Sequence, residues 1–379
     1  MDTMADYLIK IEDFPKILET LLKEKIADKI IGAETRIDKK TEKEDRFTVQ
    51  PKLFEKPEDI KVFPLTNLIA YGYARTDSAS KYLHKSLEGA MKEKVALIAR
   101  PCDTRALIEL AKIRQVNLEN LFIIAFDDRG MVINVSRQMR SYKEIDPTKV
   151  VKEKIGDKGL ILQFDNGKTK EIDLTVAENC SRCTRKIPVV ADLGISDIGI
   201  PIESDQIILK VYSDKGNDVL EKSKIDKKSI PNDIKKAHTD KVKEIKENAI
   251  AKRAKDLEEW SKLSQEEKMA KLQACTMCNT CIRGCPVCYC VDCILQKKRK
   301  EKIINKESYQ LTRIAHVADR CVECGNCDNN CPQHLPLSLY FQSLNEAFKD
   351  KFKYTSGEKL EDIPFRSGKA IAQMELEKS

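Results

Sequence analysis

Apolar positions follow two regimes along this 379-residue chain: a buried α/β pattern up to about residue 225, then a sparser, charged helical pattern. Phe14 to Lys25 repeats its apolar residues at helical spacing, and Ile30-Ile31-Gly32-Ala33 reads as a short strand. Thr76 to Lys92 has helical spacing again. Val95-Ala96-Leu97-Ile98-Ala99 is a continuous apolar run, the mark of a parallel strand covered on both faces. An amphipathic helix is expected over Asp103 to Gln115, with Ala106, Leu107, Leu110 and Ile113 on one side. Leu121-Phe122-Ile123-Ile124-Ala125-Phe126 gives a second buried strand, and further strands are expected at Gly159 to Phe164 and Gln206 to Tyr212.

Residues 215 to 271 are rich in Lys and Glu and read as exposed helix and linker, with Trp260 and Leu263 docking that helix on the C-terminal part of the chain. Helices are expected at Ser264 to Ala274, Glu307 to Arg320 and Leu337 to Lys349. The pattern predicts an α/β domain on a mixed sheet over 1–225, a charged helical linker over 226–263, an all-helical domain over 264–350 and a tail over 351–379.

Hydrophobic residues make up 41% and charged residues 34%, so the chain can build a core beneath a very polar surface. No apolar run reaches the roughly 18 residues of a membrane span. Met1-Asp2-Thr3-Met4-Ala5-Asp6 lacks the basic and apolar regions of a signal peptide. The net charge of +7 comes from scattered Lys, without the basic stripe and aromatics that nucleic-acid binding wants. Fourteen cysteines, most in metal-ligand spacing, point to a reducing cytoplasm.

The chemistry is concentrated in a duplicated motif. Cys275-x-x-Cys278-x-x-Cys281-x-x-x-Cys285-Pro286 recurs as Cys321-x-x-Cys324-x-x-Cys327-x-x-x-Cys331-Pro332. Three thiolates at this spacing wrap one side of a [4Fe–4S] cube, and the fourth Cys, before Pro, ligates the other cube. The reading is Cys275, Cys278, Cys281 and Cys331 on one cluster, and Cys321, Cys324, Cys327 and Cys285 on the second. A single zinc site would leave four cysteines and both prolines unexplained.

Arg100-Pro101-Cys102 stands where the Val95–Ala99 strand ends and a helix begins, the edge where open α/β sheets bind ligands. Downstream come Cys180-Ser181-Arg182-Cys183 and, after seven residues, Ala191-Asp192-Leu193-Gly194-Ile195-Ser196-Asp197-Ile198-Gly199. In this order of elements, over about residues 10 to 225, the chain resembles the beta subunit of coenzyme F420-reducing hydrogenase and of formate dehydrogenase. The resemblance implies FAD and one [4Fe–4S] cluster beside it, with Cys102, Cys180 and Cys183 as ligands. It also implies hydride exchange with coenzyme F420 and partners of the hydrogenase, formate dehydrogenase or heterodisulfide-reductase kind. The chain departs from the family pattern at Asp128, where a second Cys is expected. Three alternatives stand: Asp128 is an oxygen ligand, one of Cys288, Cys290 and Cys293 completes the site, or the cluster is lost.

Cys288, Cys290 and Cys293 are too dense to be inert, and one or two are expected to face the flavin-domain cluster. Cys281-x-x-x-Cys285-x-x-Cys288 also matches a radical-SAM triplet formally, but two of its thiols belong to the paired clusters and no barrel-like series comes after it. His84, His238, His316 and His334 share no metal spacing and read as packing or surface residues. No dinucleotide fingerprint or P-loop is present. The small polar segments Arg75 to Lys81, with Ser78, Ser80 and Lys81, and Ser196 to Gly199 suit flavin contacts, or equally an ordinary helix cap and turn. The expected function is two-electron to one-electron conversion by a flavin fused to iron–sulfur clusters. The alternative is a flavin-free electron relay.

Overall fold

The computed structural model describes residues 3–37, 39, 42, 44–60, 63–71, 78–362 and 364. Eleven strands are found among them: β1 (Ala5–Lys10), β2 (Lys29–Ile37), β3 (Glu44–Phe54), β4 (Val95–Ala99), β5 (Leu121–Phe126), β6 (Val150–Ile155), β7 (Gly159–Phe164), β8 (Thr169–Asp173), β9 (Leu193–Ser196), β10 (Gln206–Val211) and β11 (Lys228–Ser229). Eight form one mixed sheet in the order β11-β1-β10-β9-β5-β4-β2-β3. Its centre, β2-β4-β5-β9, is parallel, and both flanks are antiparallel. The continuous apolar runs of β4 and β5 lie at that centre with every residue buried. Each buried Ile or Leu there contributes about 1.5–3 kcal/mol, so these strands anchor the core of the sheet.

The helices of this part are α1 (Phe14–Lys23), α2 (Leu65–Tyr71), α3 (Ala79–Ser86), α4 (Pro101–Lys112), α5 (Val135–Met139), α6 (Glu178–Ser181) and α7 (Asp214–Ser223). The single helix expected from Thr76 to Lys92 is shorter. Ser78 caps α3 by accepting from Lys81 N, and the chain breaks after Ser86 at Gly89. Gly89 has φ +66, and an added Cβ would strike the Gln115 carbonyl oxygen. Residues 75–77 of the expected flavin segment lie outside the described residues. The helix expected from Asp103 starts instead at Pro101, whose fixed φ suits a first turn. The antiparallel sheet β6-β7-β8 stands apart from the main sheet. Arg46 of β3 ties to it by donating from Nε to Glu153 (2.7 Å).

The segment expected as a linker is mainly one 30-residue helix, α8 (Asn232–Ser261), about 45 Å long at 1.5 Å per residue. It is polar almost all round because it bridges two bodies instead of covering one core. Near its start, Ile234 packs with Leu8, Ile200 and Ile208. Near its end, Arg253 forks onto Glu323 (2.7 and 3.0 Å) and reaches Glu346 (2.6 Å). Trp260 meets Tyr340 edge-on at 4.7 Å.

The remaining part is helical: α9 (Gln265–Leu272), α10 (Thr280–Arg283), α11 (Ile294–Lys300), α12 (Lys306–Val317), α13 (Asn326–Asn329) and α14 (Leu337–Phe352). The expected tail begins inside α14 and then returns across α4. Tyr354 and Ser356 are buried, and Gly357 N donates to the buried carboxylate of Glu109 (2.6 Å). No helix of the described residues is long and apolar enough to cross a membrane.

Candidate metal centres and cofactor crevice

The two Cys motifs adopt one local conformation twice. Met277 and Glu323 have φ +52 and +57, and Asn279 and Gly325 have φ +66 and +71, so the backbone turns left-handed at matching points. One helical turn comes next in each repeat, α10 and α13. Cys285 N then donates to Ile282 O (3.2 Å) as Cys331 N does to Asp328 O (3.0 Å). The repeats face each other, with Asn326 Nδ2 donating to the Gly284 carbonyl oxygen (3.0 Å).

This pairing separates the thiols into sets. Cys285, Cys321, Cys324 and Cys327 line one small cavity with Arg313 and Phe341. A Cys from the first repeat therefore joins three from the second. Gln310 Nε2 of α12 donates to Cys275 Sγ (3.0 Å) and stands 4.0 Å from Cys281 Sγ, joining two members of the other set. Cys278 of that set is exposed and Cys331 partly buried. Among the described residues, no three His, Cys, Asp or Glu side chains converge on a single ion position. Four thiols spread around one space suit a cube with a ligand at each corner.

A third set forms at the carboxyl edge of the parallel strands. Cys102 follows β4 at the start of α4, Asp128 follows β5, and Cys180 and Cys183 flank the end of α6. The buried Lys186 feels all four, since Asp128, Cys183, Cys180 and Cys102 favour its charged form and together outweigh burial. Lys186 Nζ donates to the Cys180 carbonyl oxygen (2.8 Å), and Asp128 N donates to Lys186 O (2.9 Å). Burial, then the Asp128 carboxylate, pushes the Cys180 thiol up to about 12. A thiolate held there requires a strong neighbouring cation, which iron would supply.

The third set abuts the second. Asn179 Nδ2 donates to the Cys324 carbonyl oxygen (2.9 Å). Arg182, inside the Cys180–Cys183 spacing, donates to Gln342 (2.8 Å), Ser338 (2.9 Å) and Asp256 (3.0 Å). The C-x-x-C segment is thus pinned to both α14 and α8.

Comparison with known proteins shows the family of the chain. Residues 92–237 match the family described as the C terminus of the coenzyme F420 hydrogenase/dehydrogenase beta subunit. Residues 235–335 match the 4Fe-4S dicluster domain. The beta subunit of F420-dependent formate dehydrogenase from Methanocaldococcus jannaschii is 30% identical over 293 residues, 70% of this chain and 74% of that protein. The chain belongs to the coenzyme F420 hydrogenase/dehydrogenase beta-subunit family. The beta subunit of F420-dependent formate dehydrogenase 1 from Methanococcus maripaludis is 28% identical over 74% of this chain and 77% of that protein. A chain of the F420-reducing [NiFe] hydrogenase complex of Methanosarcina barkeri, solved with xenon, overlaps at a TM-score of 0.47 and 14% identity. It covers 70% of this chain and 94% of that one. As a member of this family, the chain is an oxidoreductase subunit with an iron–sulfur domain.

Within this beta-subunit fold the residues expected to contact flavin fall in two groups. Ser78 and Lys81 line a cleft of roughly 1220 Å³ between α3 and α12. Ser80 is buried, with its hydroxyl 3.2 Å from Ser78 and 3.4 Å from Asp103. Ser196 and Gly199 lie at the end of β9, where an added Cβ on Gly199 would meet the His238 backbone nitrogen of α8 at 2.6 Å. No described contact joins the two groups. Cys288, Cys290 and Cys293, of which one or two are expected to face the flavin-domain cluster, line this cleft too. The turn after Pro286 carries Cys288 against Cys285, whose sulfur is drawn down by the Cys288 hydrogen bond against the effect of burial. Lys81 Nζ holds this turn by donating to the Cys288 carbonyl oxygen (2.7 Å).

Several members of the site were not foreseen from the sequence: Asn179, Arg182, Lys186, Gln310 and Arg313. Only Asn179 and Arg182 carried a signal, being polar residues inside or beside a ligand motif. His238, expected as a packing or surface residue, has Nε2 3.1 Å from Lys210 Nζ, which pairs with Asp127 at 2.6 Å.

Proposed function

We propose that this chain is the iron–sulfur flavoprotein electron-transfer subunit of a cytoplasmic, anaerobic oxidoreductase complex. It exchanges hydride with coenzyme F420 and passes electrons to a hydrogenase, formate dehydrogenase or heterodisulfide-reductase-like partner. Bound FAD would supply the conversion between electron pairs and single electrons, and three [4Fe–4S] clusters would carry the single electrons. Cys102, Asp128, Cys180 and Cys183 would hold the cluster nearest the flavin. Cys285, Cys321, Cys324 and Cys327 would hold the middle one, and Cys275, Cys278, Cys281 and Cys331 the outer one, nearest solvent at exposed Cys278. The observation that carries this reading is the contact between Asn179, beside Cys180, and the carbonyl oxygen of Cys324. It joins the inner set to the middle set without an intervening layer. The names of two relatives, both F420-dependent formate dehydrogenase beta subunits, support F420 as hydride partner.

The test is anaerobic iron and flavin analysis of the native complex. About twelve irons, three cubes of four, and one FAD per chain are expected. Cys180→Ser should abolish F420-linked activity while exchange with an artificial one-electron donor survives. Eight irons in an active complex would sink the inner site. A flavin-free relay is the second reading, favoured by the closure of Gly199 beneath α8. It predicts three clusters and no flavin bands in the visible spectrum.

A further inference from the structure

Arg313 lies on α12 one turn after Gln310 and is 2% exposed. Its Nη2 donates to the Cys281 carbonyl oxygen (3.1 Å), and its guanidinium lies 5.3 Å from the Phe341 ring centroid. Nε and Nη1 have no hydrogen-bond partner among the described residues. The side chain lines the cavity formed by Cys285, Cys321, Cys324 and Cys327. The groups that stabilise its charge most are the sulfurs of Cys281, Cys327, Cys285 and Cys288. Asp328 also feels this charge, but its carboxylate is engaged by Ser338 N (2.6 Å) and the Ser338 hydroxyl.

Burying a guanidinium is costly unless negative charge and acceptors face it. Here the cation donates to the carbonyl oxygen of Cys281 in the outer set and lines the cavity of Cys285, Cys321, Cys324 and Cys327, so it lies between the middle and outer sites. The outer set receives a neutral donor, Gln310, on Cys275. Charge and N–H hydrogen bonds at sulfur raise the reduction potential of a cluster.

We propose that Arg313 is a potential-setting residue that makes the middle site the better electron acceptor of the two. This rests on the cluster reading above. With a cluster in the middle site, the unpartnered Nε–H and Nη1–H would donate to its sulfur and stabilise the one extra negative charge that a single electron brings. No bond forms or breaks and no proton is taken up, because arginine stays protonated throughout.

The experiment is an anaerobic redox titration, monitored by EPR, of the full iron-loaded chain and of Arg313→Gln. The middle signal is identified as the one lost in Cys285→Ser. In Arg313→Gln its reduction equilibrium should weaken at least tenfold, about 59 mV for one electron, with a smaller shift at the outer site. Independently, wild-type protein labelled with 15N-arginine should show nitrogen hyperfine coupling at the reduced middle site, lost in Arg313→Lys. That measurement decides the matter if Arg313→Gln does not load iron. Both signals present with unshifted potentials, or no 15N coupling in the wild type, overturns the role of Arg313 alone. Absence of both signals from the wild type overturns the cluster reading and this inference with it.

Discussion

Gly325 sits directly between two proposed cluster sites. Its φ is +71, and an added Cβ would fall 1.8 Å from the Asn179 side-chain carbonyl carbon. Gly325→Ala should cost about 1–3 kcal/mol for the left-handed conformation alone, and it must also push Asn179 off Cys324. A lowered melting temperature of the iron-loaded chain is expected; an unchanged one would mean that Asn179 yields freely. Cys285 tests the crossing of ligands between repeats, since its cavity is shared with Cys321, Cys324 and Cys327. Cys285→Ser should remove the EPR signal of that set and leave the signal of Cys275, Cys278 and Cys281. Loss of the latter instead would reverse the assignment.

At the scale of elements, β6 meets the end of β9 through one buried lysine. Lys154 Nζ donates to the carbonyl oxygens of Asp197 (2.6 Å) and Ile200 and stands 3.9 Å from the Asp197 carboxylate. Burial lowers it from 10.5 to about 8 despite Asp197. The folded value lies below the unfolded one, so between pH 8 and 10.5 the unfolded chain holds the proton and the folded chain does not. Stability from this group therefore rises across that window, by an amount on the order of 3 kcal/mol at 1.36 kcal/mol per unit. Urea midpoints of wild type and Lys154→Met, compared from pH 8 to 10, should show a shallower rise in the variant. Parallel profiles would mean that Lys154 titrates as it does in water. At this scale α8 was legible as a helix but not as a strut. Trp260, expected to dock it, meets Tyr340 of α14, but the helix's polar sequence gives no sign that Arg253 finds partners on α14 and the second Cys motif.

For the whole molecule, the chain after α14 closes the fold. Tyr354 OH donates to Glu109 (3.2 Å to either oxygen), Gly357 N donates to the same carboxylate, and Ser356 reaches the Asp319 carbonyl oxygen (3.3 Å). Ending the chain at residue 352 leaves buried Glu109 with Lys112 as its remaining described partner. Each bond lost from a buried group costs about 1–3 kcal/mol. The shortened chain should unfold at a clearly lower denaturant concentration. An unchanged midpoint would restore the reading of this segment as a free tail.

The sequence by itself determined what depends on local spacing. Val95–Ala99 and Leu121–Phe126 could only be buried strands, because six or fewer consecutive apolar residues need both faces covered. The doubled C-x₂-C-x₂-C-x₃-C-P announced two cubes, because one turn of backbone carries three thiols. Contacts between distant segments were decided only by the tertiary structure. Asp128 comes to the same sheet edge as Cys102 because β4 and β5 run parallel and end together. Cys288 turns toward Cys285 and the cleft because Lys81, far away in sequence, holds its carbonyl. Arg313 of α12 reaches both repeats, donating to the Cys281 carbonyl oxygen and lining the cavity of Cys285, Cys321, Cys324 and Cys327. Such meetings depend on how helices and strands pack, and no period or spacing along the chain encodes them.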